Sequence, residues 1–217
     1  MNYAEYKIDA DTFDRRYGSS NKPIEQAIRK ELLAGDLSFI AAERLSRLAN
    51  TLIVRRSPLA GPALLALEQS KKVIRSQGEE IISRYSLEGE DYPDPLEGLP
   101  RTYDPLQFQN DGPLPVPAPE PNLHYADLKA RYWTKTEKVD ALVARAIRAE
   151  IPEGNDTIDA MSALNQTVFK LRTVAPDVSH LARLSLDHLK EVYDNIRHQI
   201  EWKYNIGFCR EPKEVDE

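Results

Sequence analysis

Two histidines and four carboxylates, His180, Asp187, Glu191, Asp194, His198 and Glu201, recur at helical spacing late in the chain. On a helix they fall within about 80° of one another, at roughly 100° per residue. Imidazole and carboxylate together have the chemistry to hold zinc or iron. The same segment sets Leu189, Val192, Ile196 and Ile200 on the opposite side, so the stripe reads more simply as the solvated face of a helix whose other face is buried. The positions 119 residues earlier hold Gly61, Glu68, Lys72, Arg75 and Glu79, which form no ligand set. Nor do the Glu-x-x-His pairs of di-iron bundles occur on facing helices. Cys209, the single cysteine, has no activating base near it in sequence and cannot form an intramolecular disulfide, which favours a reducing compartment. The signatures G-x-x-x-x-G-K, G-x-G-x-x-G, H-E-x-x-H, C-x-x-C and G-x-S-x-G are all missing, and nine glycines give little backbone to cradle a phosphate. The expectation is a protein without metal, cofactor or catalytic residues, not an enzyme.

The reason for comparing positions 119 apart is an internal match at that offset. Ala27-Ile28-Arg29 recurs as Ala146-Ile147-Arg148, Glu31 as Glu150 and Gly35 as Gly154. Leu45, Leu52, Ala63, Leu65 and Leu67 recur as Leu164, Leu171, Ala182, Leu184 and Leu186, and the register continues to Ile81 and Ile200. Each copy reads as three helices. In the first, Ile24, Ala27, Ile28 and Leu32 lie at helical spacing, and Gly35 suits the left-handed position past a helix end. Asp36 or Ser38 can cap the second helix, whose positions Ala42, Leu45, Ala49 and Leu52 advance in steps of three and four, as do Met161, Leu164, Val168 and Leu171. Ser57-Pro58 suits an N-cap followed by a first-turn proline for the third. In the second copy Thr134-Lys-Thr-Glu137 has the capping-box form, and Ala175-Pro176-Asp177 makes the later corner.

Proline and charge divide the chain further. Of 15 prolines, nine lie within 93–121, five of them alternating from Pro113 to Pro121. Each fixes φ and removes a backbone donor, so the segment reads as extended polyproline-like chain rather than helix or central strand. Segment 86–123 also carries one basic and eight acidic side chains, whereas 22–84 carries eleven basic and seven acidic and 124–205 balances at twelve of each. The organisation expected is an N-terminal arm (1–21), a helical repeat (22–85), an acidic proline-rich linker (86–123), a second repeat (124–205) and a tail (206–217). The linker is either a ligand for an aromatic-lined groove or a semi-rigid strap, and Tyr92, Tyr103, Leu106 and Phe108 favour a strap lying on the protein's own surface. The absence of a long apolar run gives no membrane-spanning segment, and the acidic start gives no secretory signal, so the expected place is the cytoplasm or a particle assembled inside the cell.

Partner contacts are expected at three places. Tyr3, Tyr6, Phe13 and Tyr17 would share one stripe of an arm helix, free to tuck against their own domain or dock on a neighbour. Arg44, Arg47, Arg55 and Arg56 form a basic face on the first repeat, and Tyr103 and Phe108 stand out in the strap. The resulting expectation is an all-α protein of two related three-helix units that acts as a non-catalytic adaptor or structural subunit, bridging partners in an assembly or associating with itself. Virus particles offer an analogy for such arms and straps. The alternative is a nucleic-acid-associated regulator using the basic face, although the first repeat lacks the interleaved aromatics of single-strand binders.

Overall fold

A computed structural model describes residues 9–89, 91–111, 123–134 and 138–206. The described residues are all-α, with eight α-helices and no strand. The first half contains α1 (Ala10–Tyr17), α2 (Pro23–Glu31), α3 (Gly35–Val54) and α4 (Ala60–Arg84). The second contains α5 (Tyr125–Tyr132), α6 (Val139–Glu150), α7 (Gly154–Leu171) and α8 (Pro176–Lys203). Each half therefore carries an eight-residue helix ahead of the three expected from its sequence. Asp9 starts α1 by accepting the Thr12 N–H at 2.7 Å, and His124 starts α5 with its N–H donated to Asp127 at 2.7 Å.

The long helices form the centre. α3 packs on α4 and α7 on α8, and across the molecule α3 meets α7 while α4 meets α8. Leu45, Leu52, Leu164 and Leu171 are buried in these seams, as are Leu189, Val192, Ile196 and Ile200 on the inner side of α8. The halves are thus packed directly on each other, α3 against α7 and α4 against α8. Where α4 meets α8 the Ser185 hydroxyl donates to the Ala66 carbonyl at 2.6 Å, and the two residues are 119 apart.

Both helix corners use glycine, for a reason other than the one the sequence suggested. Gly35 and Gly154 are the first residues of α3 and α7, and the left-handed conformation falls one residue earlier in the first half, at Ala34 (φ 65°), and not at all in the second, where Glu153 has φ −82°. What each glycine provides is room. A Cβ at Gly35 would overlap the Ile28 carbonyl oxygen, and one at Gly154 the Ile147 carbonyl oxygen. Asp36 and Ser38 do not cap α3: Asp36 binds Arg29 at 2.7 Å and the Ser38 hydroxyl donates back to the Ala34 carbonyl. Ser57 likewise precedes α4 by a turn, its hydroxyl accepting the Leu59 N–H at 3.2 Å. The capping box expected at 134–137 lies mostly outside the described residues.

The strap is not a free spacer over its described length. Leu87 and Leu99 are buried, Tyr92 sets its ring 5.2 Å from Phe13 and donates its hydroxyl to Asp14, and Pro95 lies against Gly78. Further on, Asn50 of α3 holds the backbone at two points. Its amide donates to the Arg101 carbonyl at 2.9 Å, and its oxygen accepts the Tyr103 N–H at 2.8 Å. The chain then makes a 3-10 turn over Pro105–Asp111 against α3, helix-like structure in a segment read as extended. Pro105 is compatible because it opens the turn, where its missing N–H costs nothing, and Asp104 accepts the Leu106 N–H at 2.9 Å. The alternating prolines 113–121 lie outside the described residues.

Candidate functional site

The arm is the first expected contact to be reassigned. Tyr3 and Tyr6 lie outside the described residues, but Phe13 and Tyr17 face the protein's own core, 0% and 5% exposed. Phe13 stacks at 5.2 Å from each of Tyr17, Tyr85 and Tyr92. Burying two aromatic rings contributes about 1.5–3 kcal/mol each, which accounts for their pointing inward. These two residues are therefore closed off from a partner.

Tyr17 also reveals a polar centre that sequence reasoning missed. Glu31 accepts hydrogen bonds from Tyr17 at 2.6 Å and Tyr85 at 2.5 Å, with Arg84 at 3.3 Å and Arg16 at 3.5 Å. The second half repeats it: Glu150 accepts from Tyr132 at 2.7 Å and from Tyr204, with Lys203 Nζ at 2.8 Å. Burial alone would raise the Glu31 carboxyl, but the hydrogen bonds from Tyr17, Tyr85 and Arg84 outweigh it and hold it below the ordinary range. Glu150 is depressed against the same burial by Lys203, Tyr204 and Tyr132. In return, burial and the bond to Glu150 push Tyr204 up to about 12, and burial with the bond to Glu31 raises Tyr17. These centres join three helices of each half, with both carboxylates engaged by tyrosine and cationic partners, which is the profile of a structural fastening; Glu31 and Arg84 also border a concave surface.

The basic face is engaged from within. Arg44 reaches Asp156 at 3.1 Å and Asp159 at 3.7 Å, and Arg55 reaches Glu153 at 3.1 Å, all three acids lying at the start of α7 in the other half. The positive first repeat thus meets acidic residues of the second. Arg56 makes contacts of its own in a left-handed turn, and Arg47 remains exposed. Tyr103 is 51% exposed and its ring lies 6.1 Å from Phe108, so the two strap aromatics form a pair on the surface.

The histidine stripe spreads along α8. His180 and His198 are separated by 18 residues, about 27 Å of helix at ~1.5 Å per residue, too far to share an ion. Asp187 pairs with Lys190, Glu201 with Arg197, and His198 Nδ1 lies 2.6 Å from the Asp194 carbonyl oxygen. Among the described residues no group of three metal-ligating side chains is brought together. Cys209 lies outside the described residues.

Concave surfaces of two kinds occur among the described residues. One, of about 240 Å³, opens where Leu33 and Gln77 of the first half meet Leu171 and Val174 of the second. Gln77 is 3% exposed and neither atom of its amide has a hydrogen-bond partner, whereas its counterpart 119 residues later is Ile196. The other is a groove of about 520 Å³ between the end of α7 and the start of α8, with Val168 and Leu186 as its apolar wall and Arg172, His180, Arg183 and Lys190 around it. None of its lining residues is acidic.

This groove matches, at the offset of 119, the face of α3 and α4 that lies next to Asn50. Asn50 corresponds to Phe169, which is 81% exposed, and Ile53, 2% exposed, corresponds to the exposed Arg172. The ion pair Lys71–Glu68 corresponds to Lys190–Asp187, and the lysine side chain is 23% exposed in the first half and 54% in the second. Asn50 in the first half holds the strap, whereas Phe169 at the matching position in the second half is exposed.

Compared with protein-family models, curated proteins and solved structures, the chain matches none. No described helix is long and apolar enough to cross a membrane.

Proposed function

We propose that the protein is a non-catalytic helical adaptor or structural subunit whose outward contact is made by the second half. The observation that carries this reading is the difference between the two matching faces: Asn50 fastens the protein's own strap beside α3, while Phe169 and its basic neighbours on α7 and α8 stand uncovered. An aromatic side chain left 81% exposed beside a concave apolar wall is the kind of surface that partners cover. The buried Glu31 and Glu150 centres and the cross-half ion pairs of Arg44 and Arg55 supply a rigid body on which such a face is presented. The cell interior and a bridging role in an assembly belong to the same proposal.

The test is the native mass of the protein, purified and in extract of its own source. Association above the mass of a single chain, reduced when Phe169 is changed to Ala, is the expected result. A partner-free monomer in both settings overturns the reading. Of the arginines that a nucleic-acid role would use, Arg44 and Arg55 are taken by ion pairs within the protein, so that alternative draws no support from the fold.

A further inference from the structure

We infer that the groove between α7 and α8 binds an extended, acidic peptide segment of a partner protein, one that sets an apolar or aromatic side chain against Phe169. The inference rests on the adaptor reading and adds the chemistry of the partner.

The first half supplies the template. There the chain runs over α1, α2 and α4 to the Asn50 amide as an acidic segment, extended between turns, that includes Asp91, Asp94, Glu97 and Asp104, and it carries Tyr103 and, in the 3-10 turn, Leu106 and Phe108. The strap is held there at Asn50, the position that matches Phe169 beside the groove. In the second half the matching face differs in two ways, one pointing to an acidic occupant and the other to an apolar side chain on it. Gly61 and Leu64 become His180 and Arg183, and Ile53 becomes Arg172. Arg172, His180 and Arg183 make no ion pair among the described residues, and only Lys190 is neutralised, by Asp187 at 3.0 Å. Replacing Asn50 by Phe169 removes the amide that held backbone and offers a ring instead, so recognition shifts from main chain to an apolar side chain. Guanidinium groups beside an apolar wall pair well with carboxylates flanking such a residue, in the manner of charge-complementary interfaces.

The probe is a synthetic, fluorescently labelled peptide with the sequence of residues 87–108, added to the full-length protein and followed by fluorescence anisotropy. Saturable binding is expected at low salt, weakening at least tenfold in the Arg172→Glu, Arg183→Glu double variant and at least threefold in Phe169→Ala. Because these side chains are exposed, circular dichroism should show the variants folded. Binding should persist in Asn50→Ala. Four results overturn the inference: no saturable binding; loss in Asn50→Ala but not in the arginine variant, meaning the probe exchanges with the strap; tighter binding of a thymidine oligonucleotide at the same arginines; or a sharp gain in affinity on deleting 207–217, which would make the protein's own tail the occupant. Failure here leaves the native-mass test intact, and a monomeric native mass removes the adaptor reading whatever the peptide does.

Discussion

The two halves of this protein agree inside and differ outside. Inside, Glu31 gathers Tyr17, Tyr85 and Arg84 as Glu150 gathers Tyr132, Tyr204 and Lys203, and both corners bring a glycine against the carbonyl seven residues earlier. Outside, one α-helical pair carries a strap fastened at Asn50 and its counterpart carries Phe169 with Arg172 and Arg183, which make no ion pair among the described residues. Core positions answer to packing that both halves share, so their chemistry is held in common. Surface positions answer to whatever covers them, and there the halves have different cover.

The sharpest way to break this comparison is at the shared corners. Gly35→Ala and Gly154→Ala should each cost about 3 kcal/mol or more, since a methyl forced onto a backbone carbonyl must move a helix, and the two losses should be similar. Thermal or denaturant melts read this, and tolerance at one corner alone would show that the halves are not equivalent inside.

Next come the buried centres. Glu31→Ala or Glu150→Ala leaves two tyrosine hydroxyls without their acceptor, for a loss of about 2–4 kcal/mol in melts. Both carboxyls are depressed in the folded protein, so their contribution is complete above the ordinary glutamate range and is lost as pH falls below it through the folded values. Tyr204 works in the other direction, its contribution being present below the ordinary tyrosine range and lost as pH rises toward about 12. Stability measured against pH should therefore fall at both ends, and each Glu→Gln variant should flatten the acid limb.

Smaller effects sharpen the outer difference. Asn50→Ala removes two hydrogen bonds to the strap and should cost about 1 kcal/mol, with faster amide exchange at Tyr103 and little change in the second half. Gln77→Met should raise stability by about 1 kcal/mol, because it removes a buried amide that no partner satisfies, at a site where the second half has Ile196. A loss there would mean that the amide is satisfied in solution.

The helical content and the long seams were legible because Leu45, Leu52, Leu164 and Leu171 repeat with helical period and their burial needs nothing beyond that period. The two short helices were not. The tyrosines that matter precede their glutamates by 14 residues in the first half and 18 in the second, so the offset between Tyr17 and Tyr132 slips by one turn and a fixed register passes over them. Tyr85 and Tyr204 do keep the register of Glu31 and Glu150, and that shared pair was the available signal for the buried centres. The basic face misled because sequence counts charges within a segment, whereas Arg44 and Arg55 meet acids more than 90 residues away. The open groove depends on where the strap runs, a path set by Asn50 and Tyr92 in three dimensions.

The contact of Ser185 with Ala66 has a consequence for how such a body can be assembled. In a dimer of identical chains, the two matching positions carry the same residue, so both must be serine or both alanine. Two serines would place two hydroxyls at the crossing, and two alanines would place none. With both halves in one polypeptide the positions are free to diverge, and here a single hydroxyl, that of Ser185, donates to the backbone carbonyl of Ala66. The connection between the halves thereby does more than raise their effective concentration. It permits matching positions to differ, as Ser185 and Ala66 do in the interior and Phe169 and Asn50 do on the surface.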